Sequence, residues 1–209
     1  MSLQAWFRRT RAPEPAAVRR EVVVLEPADL FDVETTDDPD AAPVLCCTGQ
    51  SAGAAAFGPL WLKRIAGSGR HAAALSVRGQ GGTPEAPGGP EARAHDIVQA
   101  AIGLPRQAVL VGHGRGAGWA CLAAARYPAA ALILVSPQGM PKHPPKPVGA
   151  PRVLLVVGET ETQSKEARAA AEAYGVAPLT FPGTAGDVFE GPAAEALLDA
   201  VLPWLGRED

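Results

Sequence analysis

Gln107–Ala125 reads QAVLVGHGRGAGWACLAAA. Its first apolar residues, Ala108 to Val111, have the aliphatic, β-branched composition of a buried strand. Gly112-His113-Gly114-Arg115-Gly116 is too rich in glycine to continue that strand and marks a tight turn. From Gly116 to Tyr127 the chain is Ala-rich and stops at Pro128, which predicts a helix. A strand, a glycine turn and a helix joined without a linker have the layout and spacing of the G-x-S-x-G nucleophile elbow. At its apex, where that pattern carries serine, stands Gly114.

Outward from this unit the same alternation repeats. Upstream, Val44–Thr48 predicts a buried strand, followed by a glycine turn and a helix around Ala54–Ala66. His71–Val77 predicts a further strand, closed by the loop RGQGGTPEAPGGP, and Glu91–Ile102 a helix. Downstream, Ala131–Val135, Val153–Val157 and a segment near Val176–Phe181 read as strands. Helices are expected near Gln163–Tyr174 and over Pro192–Leu205. Two earlier strands, Glu21–Leu25 and Leu30–Glu34, precede the acidic turn Thr35–Pro43. The pattern predicts an α/β fold with a mostly parallel central sheet and helices on both faces. Residues 1–20 read as an N-terminal tail and 21–209 as a single domain. Residues 137–151 form a Pro-rich linker that is too short for a second domain.

The chain has 209 residues, enough for one sizeable core. Its 47% hydrophobic and 20% charged residues fit an ordinary globular protein. A net charge of -3 gives no electrostatic basis for binding nucleic acid or an anionic membrane. No apolar run approaches the roughly 18 residues of a membrane span. The arginines near the N-terminus are not followed by the apolar run of a secretory signal. Leu3, Trp6 and Phe7 are expected to belong to a frayed or packed-down tail rather than to a membrane contact. Cys46 and Cys47 lie in a strand whose side chains alternate in direction, which does not suit a disulfide between them. With Cys121 they are expected to be buried, reduced thiols of a cytoplasmic protein.

Five segments, in this order, resemble the α/β-hydrolase fold over roughly Val22 to Leu205. They are APVLCCTGQSAGAAAFGPL, HAAALSVRGQGG, VLVGHGRGAG, PRVLLVVGETE and LTFPGTAGDVFEGP. The resemblance implies that fold without a cap domain, because only residues 137–151 occupy the lid position. It also implies a triad in the order Ser, acid, His. Those positions hold Gly114, Glu161 and Asp187, so the nucleophile is missing and an acid replaces the base. The backbone amides of Gln50 and Arg115 take the place of the oxyanion hole. The family's His-Gly turn has become Thr48-Gly49. Its Asp-x-Arg-Gly-His-Gly has become Ser76-Val77-Arg78-Gly79-Gln80-Gly81. Loss of such a nucleophile or base lowers turnover by about 10⁶.

No other side chain reads as a ready substitute. Cys121, two helical turns past the apex, reads as a packing residue. Ser51 reads as a turn or cap residue, and Ser136 ends a strand beside the site without a base. His113 precedes the apex, and strand alternation points it away from the cleft. His71 and His95 are expected at the surface, and His143 on the linker segment is the one histidine placed to hang over the pocket. Glu161 and Asp187 face the same site, so one carboxyl should titrate high or a cation, Arg78 or Arg115, should intervene. No His or Cys completes a metal site with them, and neither metal nor cofactor is expected. The expected function is binding of a small ligand or a protein partner by a hydrolase-like fold that has lost its triad. The alternative is an active esterase- or amidase-like hydrolase, or a lyase, using Glu161, Asp187 or His143. A glycine engineered at 114 to trap substrate would leave the base in place, and Asp187 speaks against that origin.

Overall fold

The structure, a computed structural model, describes residues 19–25, 28–33 and 41–206. Leu3, Trp6 and Phe7 and most of the acidic turn lie outside the described residues. The strands are β1 (Arg19–Leu25), β2 (Ala28–Val33), β3 (Val44–Thr48), β4 (Ala72–Ser76), β5 (Val109–His113), β6 (Ala131–Val135), β7 (Arg152–Gly158) and β8 (Leu179–Phe181). The α-helices are α1 (Gly58–Ala66), α2 (Gly89–Gly103), α3 (Arg115–Ala124), α4 (Lys165–Tyr174) and α5 (Gly191–Leu205).

One sheet runs in the order β1-β2-β4-β3-β5-β6-β7-β8. The six strands from β4 to β8 are parallel, while β1 and β2 form an antiparallel edge. Strands β3 to β6 are buried on both sides, and their near-continuous apolar sequences follow from that position. Side chains alternate between two cores. Val44, Cys46, Val109 and Val111 pack with Phe57, Trp61, Leu197 and Leu198 of the α1 and α5 layer. Leu45, Cys47, Leu75 and Leu110 pack with Ile97, Ala117, Ala120 and Ala167 of the α2, α3 and α4 layer. Cys46 and Cys47 therefore lie on opposite faces, and all three cysteines are free and buried.

Boundaries differ from the expected ones where glycine or proline intervenes. The helix expected over Ala54–Ala66 is a 3₁₀ turn at Gly53–Phe57 followed by α1, with Pro59 in the first turn of α1, where its missing N–H costs nothing. The strand expected near Val176–Phe181 begins at Leu179, after Pro178, which has no N–H for the ladder. His71 is buried rather than at the surface, because it continues the β3–β4 pairing, its carbonyl accepting from Val44 N at 2.8 Å.

Sheet order reverses beside β3. From β3 the chain crosses to β4 on one side, then returns to β5 on the other. The crevice at the carboxyl ends of β3 and β5 is therefore a topological switch point, where open α/β sheets bind ligands. Gly49 follows β3 into that crevice and Gly114 follows β5.

Candidate functional site

The elbow is built by close backbone approach. A Cβ on Gly112 would sit 2.6 Å from Ala117 Cα, and one on Gly116 would sit 2.7 Å from Cys47 O. Gly114, between β5 and α3, has φ 57° and ψ −125°, a conformation that L side chains adopt only under strain. Its N–H donates to Val135 O at 3.0 Å and its carbonyl accepts from Gln138 N at 2.9 Å. A Cβ added here would meet only Gln138 Oε1, at 4.0 Å, so the apex points into open space.

His113 lies on the Val109 and Val111 face, as strand alternation requires. The expectation that it therefore avoids the cleft is corrected, because the loop after β8 folds over that face. His113 is among the residues lining a cavity of about 210 Å³, together with Gly49, Gly114, Gln138 and Gly186. Nε2 contacts Ala185 O at 2.8 Å, and a carbonyl can only accept, so Nε2 carries the proton. In the neutral ring Nδ1 is then an acceptor, and Thr48 Oγ1 donates to it at 2.9 Å. Thr48 Oγ1 in turn accepts from Gln50 N at 3.2 Å. Phe189 closes the ring edge-to-face at 4.6 Å. Burial lowers the His113 pKa to about 4, against the raising effects of the Ala185 bond and the Glu161 charge. Both ring nitrogens are engaged at neutral pH.

The acid position is also saturated. Glu161 Oε2 accepts from Ser136 Oγ at 2.6 Å and from Gly158 N at 3.1 Å, while Oε1 accepts from Ala185 N at 2.9 Å. It thus fastens the ends of β6 and β7 to the loop after β8. Ser136, buried at the end of β6, has a positive φ of 43°. The sequence offers it no base, whereas in the structure its hydroxyl proton points at a carboxylate. Asp187 is exposed and turned back on its own loop, where Oδ2 accepts from Thr184 N and Thr184 Oγ1, both at 2.8 Å. The backbone bond first, then the hydroxyl, holds its pKa below the ordinary carboxylate value.

Neither expected cation joins these acids. Arg78 instead binds Asp96, with Nε donating at 2.9 Å and Nη2 at 2.6 Å, and the Asp96 side chain is fully buried on α2. Arg115 Nη2 donates to Gly49 O at 3.1 Å. Of the two oxyanion-type amides, Gln50 N is already spent on Thr48. Arg115 N is the first amide of α3, a position with no intrahelical acceptor. The remaining family positions carry structural bonds. Ser76 Oγ accepts from Ala54 N at 2.9 Å, and Gln80 Nε2 donates to Thr48 O at 2.8 Å.

Cys121 is buried against Tyr174 Oη at 2.7 Å, and burial pushes its thiol up to about 11. Cys47, likewise desolvated, is pushed up to about 12. Ser51 and His95 are exposed, and so is His143, which lines none of the cavities at the crevice. Gln138 and Gly139, at the start of the linker, line the cavities, and the segment then runs along α3 and α4, with Val148 N donating to Ala124 O and Tyr174 Oη to Pro145 O. Among the described residues no three His, Cys, Asp or Glu side chains gather as a metal site. No described helix is long and apolar enough to cross a membrane. Gln138, which sequence reasoning missed, reaches the apex through its backbone bond to Gly114, and no motif marks it.

No family model matches the sequence, and the curated proteins gave no match. Solved structures match over nearly the whole chain. An enol-lactonase from Burkholderia xenovorans LB400 superposes with a TM-score of 0.71 at 13% identity, covering 90% of this chain and 100% of that one. A predicted CIB-like hydrolase from Thermoplasma acidophilum gives 0.70 at 16% identity, covering 90% and 98%. A thioesterase domain from the curacin biosynthetic pathway gives 0.68 at 14%, covering 91% and 100%. At these identities the likeness is one of fold.

Proposed function

We propose that this chain, whose architecture is the α/β-hydrolase fold, binds a small ligand at its elbow without hydrolysing it. The observation that carries the reading is the state of the imidazole of His113, one of the residues lining the elbow cavity. His113 is neutral, its Nε2–H is committed to Ala185 O and its Nδ1 to Thr48. With glycine at the apex there is neither a hydroxyl to activate nor a free base to activate it. Asp187, at the position of the family's base, is an exposed anion held by Thr184. The crevice itself persists, with the α3 N-terminus and a cavity of about 210 Å³ at a topological switch point. A cavity kept beside an elbow that carries no nucleophile supports ligand binding, since function resides in the site and not in the fold.

The test is a fluorophosphonate probe and a series of p-nitrophenyl esters applied to the purified protein. The expected result is no labelling and no saturable turnover. The specific rival is Ser136, whose hydroxyl faces the Glu161 carboxylate at 2.6 Å. Turnover abolished by Ser136→Ala or Glu161→Gln would overturn the proposal in favour of an active hydrolase.

A further inference from the structure

Three cavities adjoin along the crevice. The elbow cavity shares Gly49 and Arg115 with one of about 380 Å³, whose wall includes Arg93, Trp119 and Gln80. On its other side it shares Gln50 and Gly186 with one of about 530 Å³, walled by Ala55, Ala56, Leu60 and Phe189. The first arm is cationic, and the second carries Leu60 and Phe189 on its wall beside the exposed Glu190.

The charge of the cationic arm is the informative feature. Arg115 occupies the first position of α3, whose first turn contains no acidic residue. A cation at a helix N-terminus adds to the positive end of the dipole and is locally unfavourable. Among the described residues Arg115 pairs with no carboxylate, and its guanidinium is exposed and bound only to Gly49 O. Arg93, from α2, lies with Cζ 5.4 Å from the centroid of Trp119, which fixes it at the cavity wall. Its carboxylate partner, Glu85, stands 3.4 Å away on the loop after β4, with a side chain 74% exposed. Two guanidiniums, one unpaired and one loosely paired, meet a helix N-terminus at one cavity.

We infer that the crevice takes an organic acid in extended form: its anionic group between Arg93 and Arg115, its carbonyl over Gly114, and its hydrocarbon end along Leu60 and Phe189. The assignment rests on the ligand-binding reading above and names the class of ligand. The anion supplies the negative charge that the first turn of α3 lacks, and the guanidinium fork suits a carboxylate. Glu85 is the internal competitor, an intramolecular carboxylate that the ligand's anion displaces from Arg93.

Monohexyl succinate carries these three features, and its methyl hexyl diester lacks only the charge. Titration calorimetry should find the monoester bound about tenfold or more tightly than the diester, with affinity falling as salt is added. Arg115→Gln should remove most of that preference, whereas Glu85→Gln should strengthen monoester binding. Monomethyl succinate should bind more weakly than the monohexyl ester, since it leaves Leu60 and Phe189 uncovered. Equal binding of monoester and diester, or binding of neither by protein with intact circular dichroism, overturns the inference. Hexanol release from the same samples separates the two readings. Release with a preserved charge preference sinks the non-catalytic proposal and keeps the anion site, while absence of both binding and release does the reverse.

Discussion

At position 114 the absent side chain has a calculable consequence. The backbone there has φ 57°, and a new Cβ would meet nothing closer than 4.0 Å, so a substitution costs backbone strain without a clash. Gly114→Ala and Gly114→Ser should each destabilise the protein by about 1–3 kcal/mol in urea denaturation. Gly114→Ser alone should stay unlabelled by fluorophosphonate, because His113 is committed and Asp187 cannot act as an imidazole. The pair Gly114→Ser with Asp187→His should become labelled, and an unreactive serine in that folded double variant would show that 114 and 187 are not partner positions. The neighbouring His113 makes stability depend on pH. Its folded pKa of about 4 lies below the ordinary 6.5, so burial favours the neutral ring. That contribution to stability is fully present above pH 6.5 and is lost as pH falls toward 4. The loss should reach about 3 kcal/mol, and His113→Gln should flatten that part of the pH–stability curve.

Among the elements, the β5–α3 unit depends on contact at distances that no side chain tolerates. Gly116→Ala would place a methyl 2.7 Å from Cys47 O and 2.8 Å from Thr48 Cα, both backbone atoms of β3. The helix must then move off the strand, and the expected loss is about 1–3 kcal/mol, with the α3 amides exchanging faster in hydrogen-exchange measurements. The same unit shows how much of the site is legible in the sequence. The glycine turn and the glycine at its apex follow from local spacing, and Glu161 is placed at the acid position by the resemblance to the α/β-hydrolase fold. The commitment of Glu161 to Ala185, and of Asp187 to Thr184, follows from how the loop after β8 folds back. Arg78 reads as a partner for the triad acids, yet it binds Asp96, which α2 carries to within 2.6 Å. Nothing in the spacing of Arg78 and Asp96 marks that choice.

For the whole molecule, one sheet separates two cores that share every central strand. Trp61 belongs to the α1 and α5 side and Trp119 to the α2, α3 and α4 side. Single-tryptophan variants retaining one or the other should unfold in urea with coincident midpoints, matching far-UV circular dichroism. Separate midpoints would show that the layers melt independently. Loop and helix ties strengthen the α1 and α5 side, with Trp61 Nε1 donating to Val188 O at 2.6 Å and Arg64 paired with Glu195 and Asp199. The first of these holds the loop that covers His113, so the surroundings of that ring are set partly by Trp61 of α1.

The order of strands and helices, the parallel sheet and the elbow with glycine at its apex were determined by the sequence itself. Apolar β-branched runs, Ala-rich segments and Gly or Pro punctuation act over a few neighbouring residues. Tertiary structure alone decided that His113 becomes an engaged wall of the cleft, that Ser136 meets Glu161, and that Arg93 joins Arg115 at one cavity. The bonds of His113 to Thr48 and Ala185 span 65 and 72 positions, and that of Ser136 to Glu161 spans 25. They depend on which loop covers which strand end, a matter of packing that no local pattern encodes.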